Sequence, residues 1–164
     1  MDKRRPAQAE AERLVDAYAD LILRLSYTYL KSTHDAEDIC QNVLFKLMSR
    51  TDPFESAEHE RSWVIRAAAN ACKDVLRSGF RRTSAPLDEM ADPPAPEPPE
   101  SNVLDQVMRL PQNYREAIYL HYYEGYSLKE IAEMTGRSES AVAAHASRGR
   151  AKLRAMLKEE SDER

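Results

Sequence analysis

The stretch SLKEIAEMTGRSESAVAAHASRGRAKLR, Ser127 to Arg154, decides how this sequence is read. Ser127 followed by Glu130 three residues later is a capping box that starts a helix. Gly136 offers the positive-φ residue that ends it, and Ser138 is placed to cap a second helix. Ala132, Gly136 and Val142 fall four and six residues apart. That spacing puts a small residue where two helices cross, a glycine in the turn and a branched apolar residue locking the second helix. In that second helix Val142, Ala146, Gly149, Leu153 and Met156 or Leu157 recur every three or four residues and are expected inside. Arg148, Arg150, Lys152, Arg154 and Lys158 are left outside. A two-helix corner with a solvated basic face would share part of this pattern. Cap, turn, small residue and basic helix together point to DNA.

The overall charge of −4 argues at first against nucleic acid, but its distribution reverses that reading. Arg61–Arg82 and Arg137–Lys158 each hold six basic residues and one acidic. Asp35–Glu60 holds seven acidic and two basic residues, and Thr83–Val103 five acidic and none basic. Alternating blocks of opposite sign predict two DNA contacts and at least one contact with a basic protein surface. With 164 residues, 42% of them hydrophobic, the chain can form one domain or two small ones. Four glycines among abundant Ala, Glu, Leu and Arg favour an all-α fold. No apolar run reaches membrane-span length and no secretory leader is apparent, so a cytoplasmic protein without membrane insertion is expected. Cys40 and Cys72 lack metal or redox spacing and read as reduced, partly buried thiols. His34, His59, His121 and His145 are scattered, so no metal site and no cofactor are expected.

Working toward the N-terminus, three long helices are predicted. The first, from about Gln8 to Leu30, would bury Leu14, Tyr18, Leu21/Ile22, Leu25 and Tyr29. The second, from about Asp35 to Ser49, would bury Ala36, Ile39, Val43 and Leu47, with Asp35, Glu37 and Asp38 at the positive end of its dipole. Thr51–Glu60 reads as a loop around Asp52-Pro53. The third helix, from about Arg61 to Phe80, would bury Val64, Ala67/Ala68, Ala71, Val75 and Leu76 and end at Gly79 or Arg81-Arg82. Its polar side carries Arg66, Asn70, Lys73, Arg77 and Arg81 as one ridge. Trp63, Phe54 and Phe80 lie near the ends of that ridge. A basic ridge beside aromatics suits a strand whose bases leave the stack, although a solvated basic face beside core aromatics has the same pattern.

Between the halves, residues 83–102 hold six of the nine prolines and no basic residue. This composition cannot form a core and predicts an extended, flexible linker. Domains are therefore expected at residues 1–82 and 103–164. In the second, Val103, Leu104, Val107 and Leu110 form a short helix stopped by Pro111, and Gln112 to Glu124 another, before the helix-turn-helix.

These motifs together resemble the bacterial RNA polymerase sigma factors of the extracytoplasmic-function type, over nearly the whole chain. DAEDICQNVLFKL (Asp35–Leu47) and ERSWVIRAAANACKDVLR (Glu60–Arg77) are similar to helices of sigma region 2. LPQNYREAIYLHYYEGYSLKEIAEMTGRSESAV (Leu110–Val142) is similar to sigma region 4. The resemblance implies a three- or four-helix region 2 domain, an acidic linker and a four-helix region 4 domain. It implies binding to core RNA polymerase, recognition and melting of the minus-ten promoter element by region 2, and reading of the minus-thirty-five element by region 4. Asp35, Asp38, Gln41, Asn42 and Phe45 would then dock on polymerase, where an acidic helix start meets a basic partner. Trp63, Arg66, Asn70, Lys73, Arg77 and Arg81 would meet minus-ten DNA, with the loop Thr51–Glu60 holding an extruded base. Arg137, Ser138, Ser140, Ala144, Ser147, Arg148, Arg150 and Lys152 would meet the minus-thirty-five element. An anti-sigma partner is also implied. The family usually has a Lys-Ser-Arg-Leu-like run after the valine of the recognition helix. Here it is Ala143-Ala144-His145-Ala146, which leaves Ser140, Ser147 and Arg148 as the residues nearest the bases.

Two other functions are weaker readings. A stand-alone helix-turn-helix regulator would need a sensor or dimerisation half, and Gln8–Arg82 has neither alternating strands nor a ligand motif. An enzyme would need a paired carboxylate, a Gly-rich phosphate loop or a Ser/His/Asp set, and none is apparent.

Overall fold

The computed structural model describes residues 4–82 and 103–162, with side chains at residues 7–78 and 103–162. The chain divides into two compact units, Met1–Ser84 and Ala85–Arg164. The described residues are helical and contain no strand. The expected linker, 83–102, lies outside them.

The first unit holds α1 (Arg4–Leu30), α2 (Thr33–Ser49) and α3 (Ala57–Arg82). Leu14, Tyr18, Leu21, Ile22, Leu25 and Tyr29 are all buried, as the three-and-four spacing requires. Lys31, at φ 57°, takes the left-handed turn that stops α1. Ser32 then caps α2, its hydroxyl accepting from the Asp35 amide at 3.2 Å. Ala36, Ile39, Cys40, Val43 and Leu47 face inward from α2. Both cysteines are free and buried, matching the expected reduced thiols.

Helix α3 corrects the sequence reading at its start and in its buried face. It starts at Ala57, where the Ser56 hydroxyl accepts from the His59 amide at 3.0 Å, so His59 and Glu60 belong to the helix and the loop is shorter. It runs through Gly79, where a helical glycine costs only about 1 kcal/mol, and ends at Arg82, within the basic pair expected as one of its two possible stops. Its buried side is Val64, Ile65, Ala68, Ala69 and Cys72, while Val75 and Leu76 are exposed.

The second unit packs α4 (Val103–Met108), α5 (Gln112–Ile118), α6 (Leu128–Thr135) and α7 (Glu139–Asp162). Instead of continuing α5 to Glu124, the chain widens into a π turn at Tyr119–Tyr123. Gly125, at φ 78°, then reverses it, and the Tyr126 amide donates to the Leu120 carbonyl at 3.0 Å. Val107, Leu110 and Ile118 form a core with Tyr114, Leu153 and Met156 packed against it.

Candidate polymerase and nucleic-acid interfaces

On α2 the inward positions fix what faces out. Asp35, Asp38, Asn42 and Phe45 follow at three, four and three residues, with Gln41 alongside. Asp35 is half-buried in the first turn, while Asp38, Gln41 and Asn42 are exposed. Phe45 is 72% exposed, the most exposed of the large apolar side chains described. A bare aromatic beside carboxylates and amides suits a partly apolar, basic protein surface better than a polyanion.

The polar ridge of α3 has the expected geometry. Arg66, Asn70 and Arg77 are exposed and Lys73 is half-buried. Arg77 lies 3.8 Å from Asp74, both exposed, an ion pair too solvated to hold it strongly. The side chain of Arg81 lies outside the described residues. A groove of about 460 Å³ runs beside the ridge, lined by Asn42 and Lys46 of α2 and by Trp63, Arg66, Asn70 and Asp74 of α3. Residues expected to meet polymerase and DNA therefore border one groove at Asn42.

The α2–α3 loop is built around a contact that sequence spacing does not reveal. The Arg50 guanidinium lies 4.2 Å from the Phe54 ring centroid and 5.5 Å from that of Trp63. The two rings meet edge to face at 5.9 Å. This cation–π stack holds Trp63 half-buried at the loop. Behind it, Arg13 donates to both Glu60 carboxylate oxygens at 3.1 and 3.0 Å, and the Tyr18 hydroxyl donates at 2.6 Å. Those donors, Arg13 foremost, hold the Glu60 carboxyl below its ordinary value against partial burial. The network ties α1 to the first turns of α3.

In the second unit the capping box at Ser127 is present in both directions. The Ser127 hydroxyl accepts from the Glu130 amide at 3.1 Å, and the Glu130 carboxylate accepts from the Ser127 amide at 3.3 Å. Gly136 adopts φ 70°, and the Ser138 hydroxyl accepts from the Ala141 amide at 3.1 Å. Val142, Ala146 and Gly149 are buried. Ser138, Ser140, Ser147, Arg148, Arg150 and Lys152 are exposed, and Ala143 and Ala144 half-buried. The helix-turn-helix is thus formed, with its basic residues outward.

Arg137 departs from this outward set. Its Nε donates to Glu116 at 3.0 Å and its Nη2 to Asn113 at 2.9 Å. Glu116 is only 2% exposed and sits beside the buried Arg115, whose Nη1 donates to the Met108 carbonyl at 3.2 Å. Sequence alone offers no reason to bury two adjacent charges. His145 packs near Tyr114, with ring centroids 5.9 Å apart. Burial, then the field of Arg137, pushes its imidazole below the ordinary value.

No group of His, Cys, Asp and Glu among the described residues could hold a metal ion, and no described helix is long and apolar enough to cross a membrane.

The family model described as Sigma-70 region 2 matches residues 14–82, and that described as Sigma-70, region 4 matches residues 101–153. The chain is 30% identical to the ECF RNA polymerase sigma factor SigW of Bacillus subtilis, covering 89% of this chain and 88% of that protein. It is 31% identical to the ECF RNA polymerase sigma factor SigM of Mycobacterium tuberculosis, covering 82% of this chain and 70% of that protein. Among solved structures, the sigma factor RpoE in complex with the anti-sigma factor NepR, from Bartonella quintana, superposes with a TM-score of 0.74 at 20% identity. That match covers 90% of this chain and 96% of RpoE.

Proposed function

The chain belongs to the extracytoplasmic-function sigma factors of the sigma-70 family, and we infer that its two units divide the work of promoter-specific initiation. It is an alternative sigma factor that binds core RNA polymerase and directs it to promoters. Its role is to position polymerase and DNA, with no reaction of its own. The first unit carries region 2 and the second region 4, joined through residues 83–102.

Phe45 carries the assignment of the α2 face. A side chain 72% exposed would lose water-excluded contact in the free protein and gains it against a partner. With Asp35, Asp38, Gln41 and Asn42 it docks on polymerase. Trp63, Arg66, Asn70, Lys73, Arg77 and Arg81 follow the strand opened at the minus-ten element, and the Arg50-braced loop receives an extruded base. Ser138, Ser140, Ala144, Ser147, Arg148, Arg150 and Lys152 approach the minus-thirty-five element. Alanine touches a thymine methyl but cannot report guanine, so direct readout falls mainly to Arg148, worth about 1–3 kcal/mol if bidentate. Arg150 and Lys152 add affinity through phosphates. An anti-sigma partner is part of the proposal, supported by the RpoE–NepR likeness in fold.

Run-off transcription with purified core polymerase on fragmented genomic DNA tests the whole reading. Discrete start sites that require this chain are expected. Reversing charge at Asp38 together with Gln41→Lys should weaken core binding with both units folded. Unchanged core affinity with impaired promoter binding would overturn the α2 assignment.

A further inference from the structure

We infer that Arg137 is a positioning residue that sets the angle of the recognition helix through Glu116 and Asn113, and that it is not a phosphate contact. The inference rests on the reading of α7 as the helix that enters the upstream element.

Arg137 occupies the turn between α6 and α7, one residue before the Ser138 cap. Its amide donates to the Ala132 carbonyl at 3.2 Å, which fixes the turn. Its guanidinium spans to two side chains of α5, the buried Glu116 and the exposed Asn113. A guanidinium fork used this way has its planar donors aimed at protein, not at solvent. Arg148, Arg150 and Lys152 differ: they are exposed and form no ion pair among the described residues.

The second mounting point of α7 is Gly149. A Cβ at that position would stand 3.0 Å from Ile118 Cγ1 and 3.2 Å from Tyr114 Cβ, so α7 touches α5 there almost backbone to side chain. From residue 137 to residue 149 is roughly 15–18 Å along a helix rising 1.5 Å per residue. Two anchors on one helix, that far apart, define an axis. Releasing the Arg137 anchor leaves Val142 and Ala146 packed but loosens the first turn of α7, and the displacement is greatest toward Ser140 and smallest at Gly149. Ser140 and Ala144 approach the bases at that end while Arg148 lies beside Gly149, so selectivity is lost first at the bases facing Ser140 and Ala144, before phosphate attraction is.

The test uses the full chain with core polymerase on a library randomised over the upstream element, together with the salt dependence of promoter binding. For a positioning role, Arg137→Gln, Arg137→Lys and Glu116→Gln should each lower discrimination at the base positions facing Ser140 and Ala144 by about fivefold, and less at that facing Arg148. The log-log salt slope should stay at the wild-type value, and the double variant Arg137→Gln with Glu116→Gln should be no worse than either single one. Lysine is informative because it keeps the charge but cannot bridge Glu116 and Asn113. Should a variant at the buried pair unfold the second unit, Asn113→Ala leaves the Glu116 bond in place and should still reduce discrimination about twofold at constant slope. A phosphate contact predicts the opposite pattern. Arg137→Gln would flatten the slope by about 0.9 while Arg137→Lys and Glu116→Gln matched wild type, and the inference would be wrong. No effect of Asn113→Ala would equally overturn it. Wild-type holoenzyme without upstream selectivity would instead sink the underlying reading of α7.

Discussion

Gly149→Ala probes the closest helix contact in the second unit. Alanine in place of a mid-helix glycine is worth about 1 kcal/mol in helix propensity. Against that, the new methyl meets Ile118 Cγ1 at 3.0 Å and Tyr114 Cβ at 3.2 Å. Tyr114 Cβ is fixed to its backbone, and Ile118 Cγ1 can move only by a χ1 change inside a packed core. Ile118 is also buried among Val107, Leu110, Leu153 and Met156. Relief requires α7 to lift from α5 by a few tenths of an ångström, and overpacking of this kind costs about 1–3 kcal/mol. The balance is a net loss of up to about 2 kcal/mol. At a urea dependence of about 1–2 kcal/mol/M for a small unit, the midpoint should fall by up to about 1–2 M. The single tryptophan, Trp63, lies in the first unit, so far-UV circular dichroism should register the shift while tryptophan fluorescence does not. Ile118→Val removes Cδ1 and alone should cost about 0.5–1.5 kcal/mol. Combined with Gly149→Ala it should recover about 0.5 kcal/mol of the sum. A Gly149→Ala protein more stable than wild type by the full propensity gain would refute the argument, since it would mean the interface is slack.

Glu60→Gln should destabilise the first unit by about 1–2 kcal/mol at pH 7, a charge-assisted figure reduced because Arg13 is half exposed. The folded carboxyl lies below its ordinary value, so its contribution is present above about pH 4.5 and fades as pH falls through the folded pKa. Tryptophan-monitored unfolding of wild type and variant should therefore converge on acidification. Ser127→Ala removes the hydroxyl half of the capping box and should cost about 0.5–2 kcal/mol, seen by circular dichroism and not by Trp63. Asn70→Ala and Arg77→Ala should slow open-complex formation on duplex promoters and matter less on templates already melted over the minus-ten element. Arg77→Ala alone should also flatten the salt slope, by about 0.7 where the strand is single.

The helix-turn-helix was readable from sequence because each part has a local cause: a hydroxyl cap at Ser127, a left-handed glycine at 136, a second cap at Ser138. The membership in the sigma family and the helical content follow from patterns of the same kind. Where tertiary packing chose between alternatives, the reading slipped. Val75 and Leu76 are stronger hydrophobes than Ala68, Ala69 and Cys72, yet the small residues are inside and the two large ones exposed. The π turn at Tyr119–Tyr123 depends on Gly125 and on a hydrogen bond to Leu120 that no spacing announces. Arg115 and Glu116 are buried against the usual preference of charged residues for water, and only the fold supplies their partners. Arg50 over Phe54 and Trp63 joins a helix end to a loop and a second helix, a contact visible only once α3 is placed.

The central claim is that α2 faces polymerase while α3 faces DNA, although Asn42 and Asn70 line one groove. Site-specific photo-crosslinking in the assembled promoter complex measures this directly, with the photoreactive residue placed in turn at position 45 and at position 70. Attachment from position 45 to the largest polymerase subunit, and from position 70 to the non-template strand of the minus-ten element, is the expected result. Crosslinking of position 45 to promoter DNA, or of position 70 to polymerase alone, would contradict the account.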